Sequence, residues 1–258
     1  MRRVLRNADV VLEVLDIRDP LSTRSRRLEE MARRMGKPVV VVLNKSDLVP
    51  RSVAEGWVRY FRGMGLPAVY ISASKRLGTR MLWRAIRRAS GRDVVVVAVT
   101  GMPNVGKSTI INVLRGRHGV GTSPIPGFTR HATRLRAATW LRVIDTPGVV
   151  PGGSKESLAL RGALRPEALE DPVVAAARLV ETVEREMPGL LEETYGVEEG
   201  EPHVFLEELA RRRGLLGKGG VPRVDEAARI VIRDWQAGRL RFYRRPPRAD
   251  HSSDSISR

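Results

Sequence analysis

No cysteine occurs in the chain. That absence removes disulfides, thiolate metal sites and a cysteine nucleophile from consideration, and it fits an intracellular protein without requiring one. Side-chain amides are nearly as scarce, with one Gln, at 236, and four Asn. Lysine is rare for so basic a sequence: six of the 46 basic residues are Lys, at 37, 45, 75, 107, 155 and 218. Long apolar runs are also missing. The longest, Val94 to Val99 and Val39 to Leu43, fall far short of a membrane span and read as buried strands. The opening Met1 to Arg6 is basic, but Asp9 and a strand-like run follow at once, leaving no signal-peptide core. The expectation is a soluble, cytoplasmic protein without a membrane partner.

What is present is enough for a sizeable core: 258 residues, 42% of them hydrophobic, suit one large or two small domains. The net charge of +17 is unevenly spread. Residues 1–165 carry 31 basic and 11 acidic side chains, residues 166–208 carry 2 and 13, and residues 209–258 carry 13 and 5. Arg offers a planar fork suited to phosphate, so two basic regions flanking an acidic stretch point to anchoring on a polyanion, nucleic acid above all. Coding bias or heat adaptation, which the shortage of Gln and Asn also fits, remains open beside it.

The chemistry centres on Gly101-Met102-Pro103-Asn104-Val105-Gly106-Lys107-Ser108, a G-x-x-x-x-G-K-[ST] phosphate loop. It follows the apolar run Val94 to Val99 and precedes the helix-compatible Ser108 to Leu114, the order that such a loop requires. A nucleoside triphosphate is a chain of anions, and backbone N–H groups at a helix N-terminus can wrap it. Gly101 and Gly106 permit the backbone angles, Lys107 is expected to reach the β and γ phosphates, and the Ser108 hydroxyl to ligate Mg²⁺. Asn104, Val105, Gly106, Lys107, Ser108 and Thr109 are therefore expected to contact the nucleotide.

Ahead of this loop, Asp9 to Asp16 reads as a strand, Ser22 to Met35 as a basic amphipathic helix and Pro38 to Leu43 as a buried parallel strand, which together make a βαβ unit. The second strand runs into Asn44-Lys45-Ser46-Asp47. Asn-Lys-x-Asp at a strand end reads guanine: the Asp carboxylate accepts from N1–H and the exocyclic amine, a donor pair adenine lacks, Asn44 bonds the acceptor edge and the Lys45 stem covers the ring. A base that leaves that carboxylate unpaired is rejected. Val53 to Arg62 reads as a helix and Pro67 to Ile71 as the next strand, ending at Ser72-Ala73-Ser74-Lys75. Here a backbone N–H at Ser72 or Ala73 is expected to meet the guanine carbonyl. Gly78 to Ala89 is a further basic helix.

After the phosphate loop, Gly116 to Arg130 is a Gly/Pro-rich loop of functional length. Thr129 in it is either a switch threonine that ligates Mg²⁺ or an ordinary loop residue. Two strands, about 131–138 and 140–144, end at Asp145-Thr146-Pro147-Gly148, where Asp145 is expected to hold Mg²⁺ through water and the Gly148 N–H to sense the γ-phosphate. Lys107, Thr129 and Gly148 are the expected catalytic contacts.

Base recognition thus precedes the phosphate loop, the reverse of the ordinary order, and termini that lie together make such a permutation cheap. With Asp16, Arg18 and Pro20 forming an Asp-x-Arg-x-Pro segment, the chain resembles the circularly permuted GTPases of the YlqF/YawG type, the ribosome biogenesis GTPase A subfamily. The resemblance runs on to the stretch from Gly219-Gly220 to Arg241 and implies a P-loop GTPase domain over 1–165, with a mostly parallel sheet and helices on both faces. A smaller all-α, RNA-binding domain over 166–245 and a disordered tail over 246–258 would follow. It further implies an assembly factor for the large ribosomal subunit that binds GTP or GDP with Mg²⁺ and grips rRNA, monomeric off the ribosome. Val149 stands where Ras-like enzymes carry a water-orienting Gln, and Asn104 matches the Asn that helps hold K⁺ in such GTPases, so slow hydrolysis stimulated by K⁺ is implied. The segment before the Asp-x-Arg-x-Pro strand is short, and an N-terminal helix used by the family is expected to be missing.

In the C-terminal part, about 167–187, 190–195, 204–213 and 224–237 read as helices, the last with Val224, Ala228, Val231 and Trp235 on one side. Arg239 to Arg248 interleaves basic and aromatic residues, and Phe242 or Tyr243 either stacks on bases or docks on the helices. The rival to an RNA-bound assembly factor is a signalling GTPase read by protein effectors; an ATPase is disfavoured by Asn44 and Asp47.

Overall fold

The computed structural model describes residues 1–116, 133–146 and 152–247. In chain order its elements are α1 (Arg2–Arg6), β1 (Val10–Asp16), α2 (Pro20–Thr23), α3 (Arg26–Arg34), β2 (Val39–Asn44), α4 (Arg51–Gly63), β3 (Ala68–Tyr70), α5 (Thr79–Ser90), β4 (Val95–Gly101), α6 (Lys107–Leu114), β5 (Thr133–Arg136) and β6 (Leu141–Asp145). A helical part follows: α7 (Lys155–Leu160), α8 (Pro172–Glu186), α9 (Leu190–Tyr195), α10 (Pro202–Arg212) and α11 (Val224–Ala237).

The six strands form one sheet in the order β3-β2-β1-β4-β6-β5, all parallel except β5, which pairs antiparallel with β6. The β-branched runs of β1 and β2 are buried at every position, as strands covered on both faces must be. One face packs on α5 and α6 through Leu82, Ile86, Ile110 and Leu114, the other on α3 and α4 through Leu28, Trp57 and Phe61. The helical part has its own core, in which Ala175, Val180, Phe205, Leu209 and Val231 meet.

Two long helices expected from periodicity are divided, both for capping reasons. The helix expected over residues 22–35 meets two competing N-caps: Asp19 accepts from Ser22 N–H, with Pro20 opening α2, and Ser25 accepts from Leu28 N–H to open α3. The Thr23 hydroxyl accepts from the Asp16 N–H, which folds α2 back on the end of β1. Likewise α8 starts at Pro172 with Asp171 as its cap, because a helix cannot run through the proline from residue 167. At the other end of the chain, a five-residue helix, α1, does precede β1 and buries Leu5, where no helix was expected. Among the described residues no helix is long and apolar enough to cross a membrane.

Candidate functional site

Parallel strands deliver their C-terminal ends to one edge of a sheet, where α/β proteins bind ligands. Register fixes which residues meet there: Asp16 lies beside Asn44, Val14 beside Gly101, and Val99 beside Asp145. Segments distant in sequence are thereby gathered at one rim.

The phosphate loop leaves β4 at Gly101, whose φ of +145° and approach to the Val14 carbonyl oxygen, 2.4 Å from where a Cβ would sit, leave no room for a side chain. Gly106 ends the loop at φ +98°, and a Cβ there would meet Asn44 Nδ2 at 2.1 Å. Lys107 opens α6 and is buried; its ammonium donates to the Met102 carbonyl at 2.7 Å. Burial pushes the Lys107 pKa down to about 8, a drop that the Asp145 carboxylate at the end of β6 opposes. Ser108 is exposed on the first turn of α6 and Thr109 is half-buried.

At the other end of the rim, Asn44 uses its amide on both loops: Nδ2 donates to the Val105 carbonyl at 2.8 Å, and Oδ1 accepts from the Ala73 N–H at 3.1 Å. One side chain ties the phosphate loop to the ends of β2 and β3. Lys45 takes a left-handed φ of +65° and reaches back to Asp16 Oδ2 at 2.8 Å. Asp16 is itself gripped by Arg18, at 3.0 Å to Oδ1 and 2.7 Å to Oδ2. Burial alone would raise the Asp16 pKa; the Arg18 and Lys45 charges outweigh it and hold the carboxyl well below the usual range. Asp47 pairs with Lys75 at 3.4 Å, and its pKa is lowered because hydrogen bonding from Ser72 and Lys75 outweighs desolvation. Ser46 sits between Lys45 and Asp47 in a single 3-10 turn over Ser46–Leu48.

The structure therefore brings together Asn44, Lys45, Ser46, Asp47, Ser72, Ala73, Val105, Gly106, Lys107 and Asp145. Asn104, within the phosphate loop in a left-handed turn at φ +60°, donates its amide to the Gly162 carbonyl at 2.8 Å. Thr129, Gly148 and Val149 lie outside the described residues. Reading the sequence did not find the Asp16–Lys45 contact, although the spacing Asp16, Arg18 and Pro20 had marked the segment. The basic and aromatic end docks: Phe242 is buried against Trp235, with ring centroids 5.5 Å apart, and Tyr243 packs into the cluster of Trp57 and Phe61. Arg244 donates its backbone N–H to the Arg18 carbonyl at 2.7 Å, and its own carbonyl accepts from Trp57 Nε1 at 3.0 Å.

Comparison with known proteins agrees with this arrangement. A family model described as a 50S ribosome-binding GTPase matches residues 96–204. An uncharacterized GTP-binding protein of Methanocaldococcus jannaschii is 34% identical over 95% of this chain and 66% of its own length. The guanine nucleotide-binding protein-like NSN1 of Arabidopsis thaliana is 34% identical over 99% of this chain. The nucleolar GTP-binding protein 2 of Cryptococcus neoformans var. grubii is 36% identical over 95%. The chain spans about half of the plant relative, 49%, and 38% of the fungal one. Among solved structures, a GDP-bound YlqF superposes with a TM-score of 0.70 at 26% identity, covering 95% of this chain and 98% of that one. A GNP-bound YlqF from T. maritima gives 0.65 at 26% identity over 92% of each chain. With Asn44-Lys45-Ser46-Asp47 and Ser72-Ala73-Ser74-Lys75 ahead of the phosphate loop and all of them at one sheet edge, the chain belongs to the circularly permuted GTPases of the YlqF type.

Proposed function

We propose that the protein is a GTP-binding and GTP-hydrolysing assembly factor that binds rRNA in large ribosomal subunit precursors and leaves on hydrolysis. The observation that carries the nucleotide half is Asn44, whose amide joins the Val105 carbonyl to the Ala73 N–H and so closes base-reading and phosphate-binding loops around one cleft. Asp47 reads the guanine edge, the Lys45 stem lies along the ring, and Lys107 meets the β and γ phosphates, trading the Met102 carbonyl for them.

A hydroxyl and a carboxylate on neighbouring elements suit a hard, oxygen-seeking divalent ion, so Ser108, Asp145 and Thr129 are the residues for Mg²⁺, which when bound neutralises phosphate charge. With the Asn104 nitrogen used on Gly162, its carbonyl oxygen is the atom offered to K⁺. Thr129 and Gly148 take the γ-phosphate contacts, and Val149, lacking a polar group, leaves intrinsic hydrolysis slow. The sheet with its covering helices serves as the nucleotide domain and the helical part from α7 onward grips RNA; the protein works in the cytoplasm as a monomer off the ribosome. The ribosomal half is supported by the family description, by the nucleolar and guanine-nucleotide names of the relatives, and by the Arg-rich surface of the first 165 residues.

Cosedimentation with large-subunit precursors tests this reading. GTP analogue is expected to hold the protein on the particle more strongly than GDP, with binding that falls steeply as salt rises; equal binding with analogue, GDP and no nucleotide ends the switch, and salt-insensitive binding favours a protein effector.

A further inference from the structure

The C-terminal end of α11 reaches the surroundings of the site in three places. Trp235 is first: its ring lies under the Arg18 guanidinium, 4.1 Å from the centroid, and its backbone carbonyl accepts from Arg18 Nη1. Arg18 grips Asp16, and Asp16 holds Lys45. Next, Gly238 caps the helix at φ +79° with so little room that a Cβ would stand 2.7 Å from the Leu48 side chain, the residue after Asp47. On the phosphate side, Trp235 Nε1 donates to the Leu160 carbonyl at 2.7 Å, and the chain's one glutamine, Gln236, donates to the carbonyls of Ala159 and Leu164 at 2.7 and 2.9 Å. These bonds clamp the segment that carries Gly162, whose carbonyl orients Asn104.

We infer that Arg18, Trp235 and Gln236 are positioning residues. The end of α11 sets Lys45 at the base end of the cleft and Asn104 at the phosphate end, so nucleotide occupancy and the pose of the helical part are one coupled equilibrium. The inference rests on the guanine nucleotide reading above. Its physical content is reciprocity: whatever grips the helical part changes nucleotide affinity by the factor with which nucleotide changes that grip. Arg18 suits the task because its planar fork serves Asp16 on one side while its face lies on an indole, a pair of contacts that a lysine cannot make together.

The test is ¹⁹F NMR on the full chain labelled with 5-fluorotryptophan, its four resonances assigned by replacing each tryptophan with Phe in turn. Elimination identifies Trp235 even where Trp235→Phe does not fold. On titration with GDP and Mg²⁺ the Trp235 resonance is expected to move and saturate with the same midpoint as GDP binding followed by calorimetry. In Arg18→Lys, GDP binding is expected to weaken about tenfold, equivalent to about 1.4 kcal/mol, and the Trp235 shift to disappear even with the site saturated. Gln236→Leu, which leaves Arg18 in place, is expected to keep the shift and to lose part of the K⁺ stimulation of GTP hydrolysis. A protein that binds GDP with its Trp235 resonance unmoved overturns the coupling and leaves the nucleotide reading intact. Absence of GDP binding by the wild-type chain overturns both. A shift that persists in saturated Arg18→Lys removes Arg18 from the route.

Discussion

The two ends of the rim are built from different materials. The phosphate end is backbone: Gly101 and Gly106 in left-handed turns, N–H groups at the start of α6, and one lysine. The base end is a lattice of side chains, with Asn44 on Ala73 and Val105, Lys45 on Asp16, Asp16 on Arg18, and Asp47 on Lys75. Backbone geometry either fits a phosphate chain or does not, whereas side-chain pairs can be weakened one at a time. Changes at the phosphate end should therefore act as switches and those at the base end as graded adjustments.

Gly106→Ala is the largest expected effect, because it strikes where the two materials meet. The added methyl would stand 2.1 Å from Asn44 Nδ2, and alanine is strained at φ +98°. Asn44 would have to give up the Val105 carbonyl, so loop and base segments separate together. GDP binding by calorimetry should fall below detection while the sheet's far-UV circular dichroism is kept. Retention of micromolar binding would show that the Asn44 clamp is dispensable.

Asp47→Asn comes next and is confined to the base end. An amide in place of the carboxylate offers one acceptor where guanine presents two donors, and leaving a buried partner unpaired costs enough for GDP affinity to fall about a hundredfold. Xanthosine diphosphate, which carries a carbonyl where guanine has its amine, should gain correspondingly. Equal loss of both nucleotides would place Asp47 outside base recognition.

Much of this was legible before any coordinates, and the reason is that it is encoded locally. A phosphate loop needs glycine at fixed offsets and a strand before it, and Asn-Lys-x-Asp needs only the end of a strand, so a linear reading finds both in either order. What stayed hidden depends on the sheet order: Asp16 meets Lys45 because β1 lies beside β2, and Arg18 meets Trp235 across 217 positions. Glu13 is similar. In the run Val10 to Asp16 it reads as one charge on a strand, yet the strand is buried throughout, and burial pushes the Glu13 pKa up to about 8 against the Ser25 N–H that its carboxylate accepts. The basic and aromatic end at 239–248 left stacking and docking equally open, because composition cannot say what lies underneath; Trp57 and Trp235 decide it.

At the phosphate end pH supplies a gentler probe. Lys107 ionises near pH 8 in the folded chain against 10.5 as a free side chain. Its folded pKa is depressed, so the unfolded chain binds more protons between these values, and folding stability without nucleotide should rise as pH climbs from 8 toward 10.5. Nucleotide binding runs the other way, since phosphate needs the charged amine. With the free-protein pKa near 8, GDP affinity should weaken about threefold between pH 7.5 and 8.5, and Lys107→Met should flatten that dependence on top of a lower affinity. A flat profile in the wild-type chain would mean that Lys107 stays charged through this range.

The smallest effect belongs to Lys75, and its sign tests the contrast most sharply. Its ammonium lies 3.4 Å from Asp47 Oδ2, on the carboxylate that is to accept from guanine, and the lysine side chain is 61% exposed. Such a pair in contact with solvent is worth roughly 0.2–1 kcal/mol. Guanine must take that carboxylate from it, so Lys75→Ala removes a competitor rather than a ligand. GDP should bind more tightly by a factor between about 1.4 and 5, the same range of free energy expressed as an affinity ratio, and the gain should shrink at high salt, where the pair is already screened. Weaker binding in Lys75→Ala would mean that the ammonium stays with the nucleotide instead of competing for Asp47. The base end would then be preformed to the same degree as the phosphate end, and the distinction between a rigid half and an adjustable half of the cleft would fail.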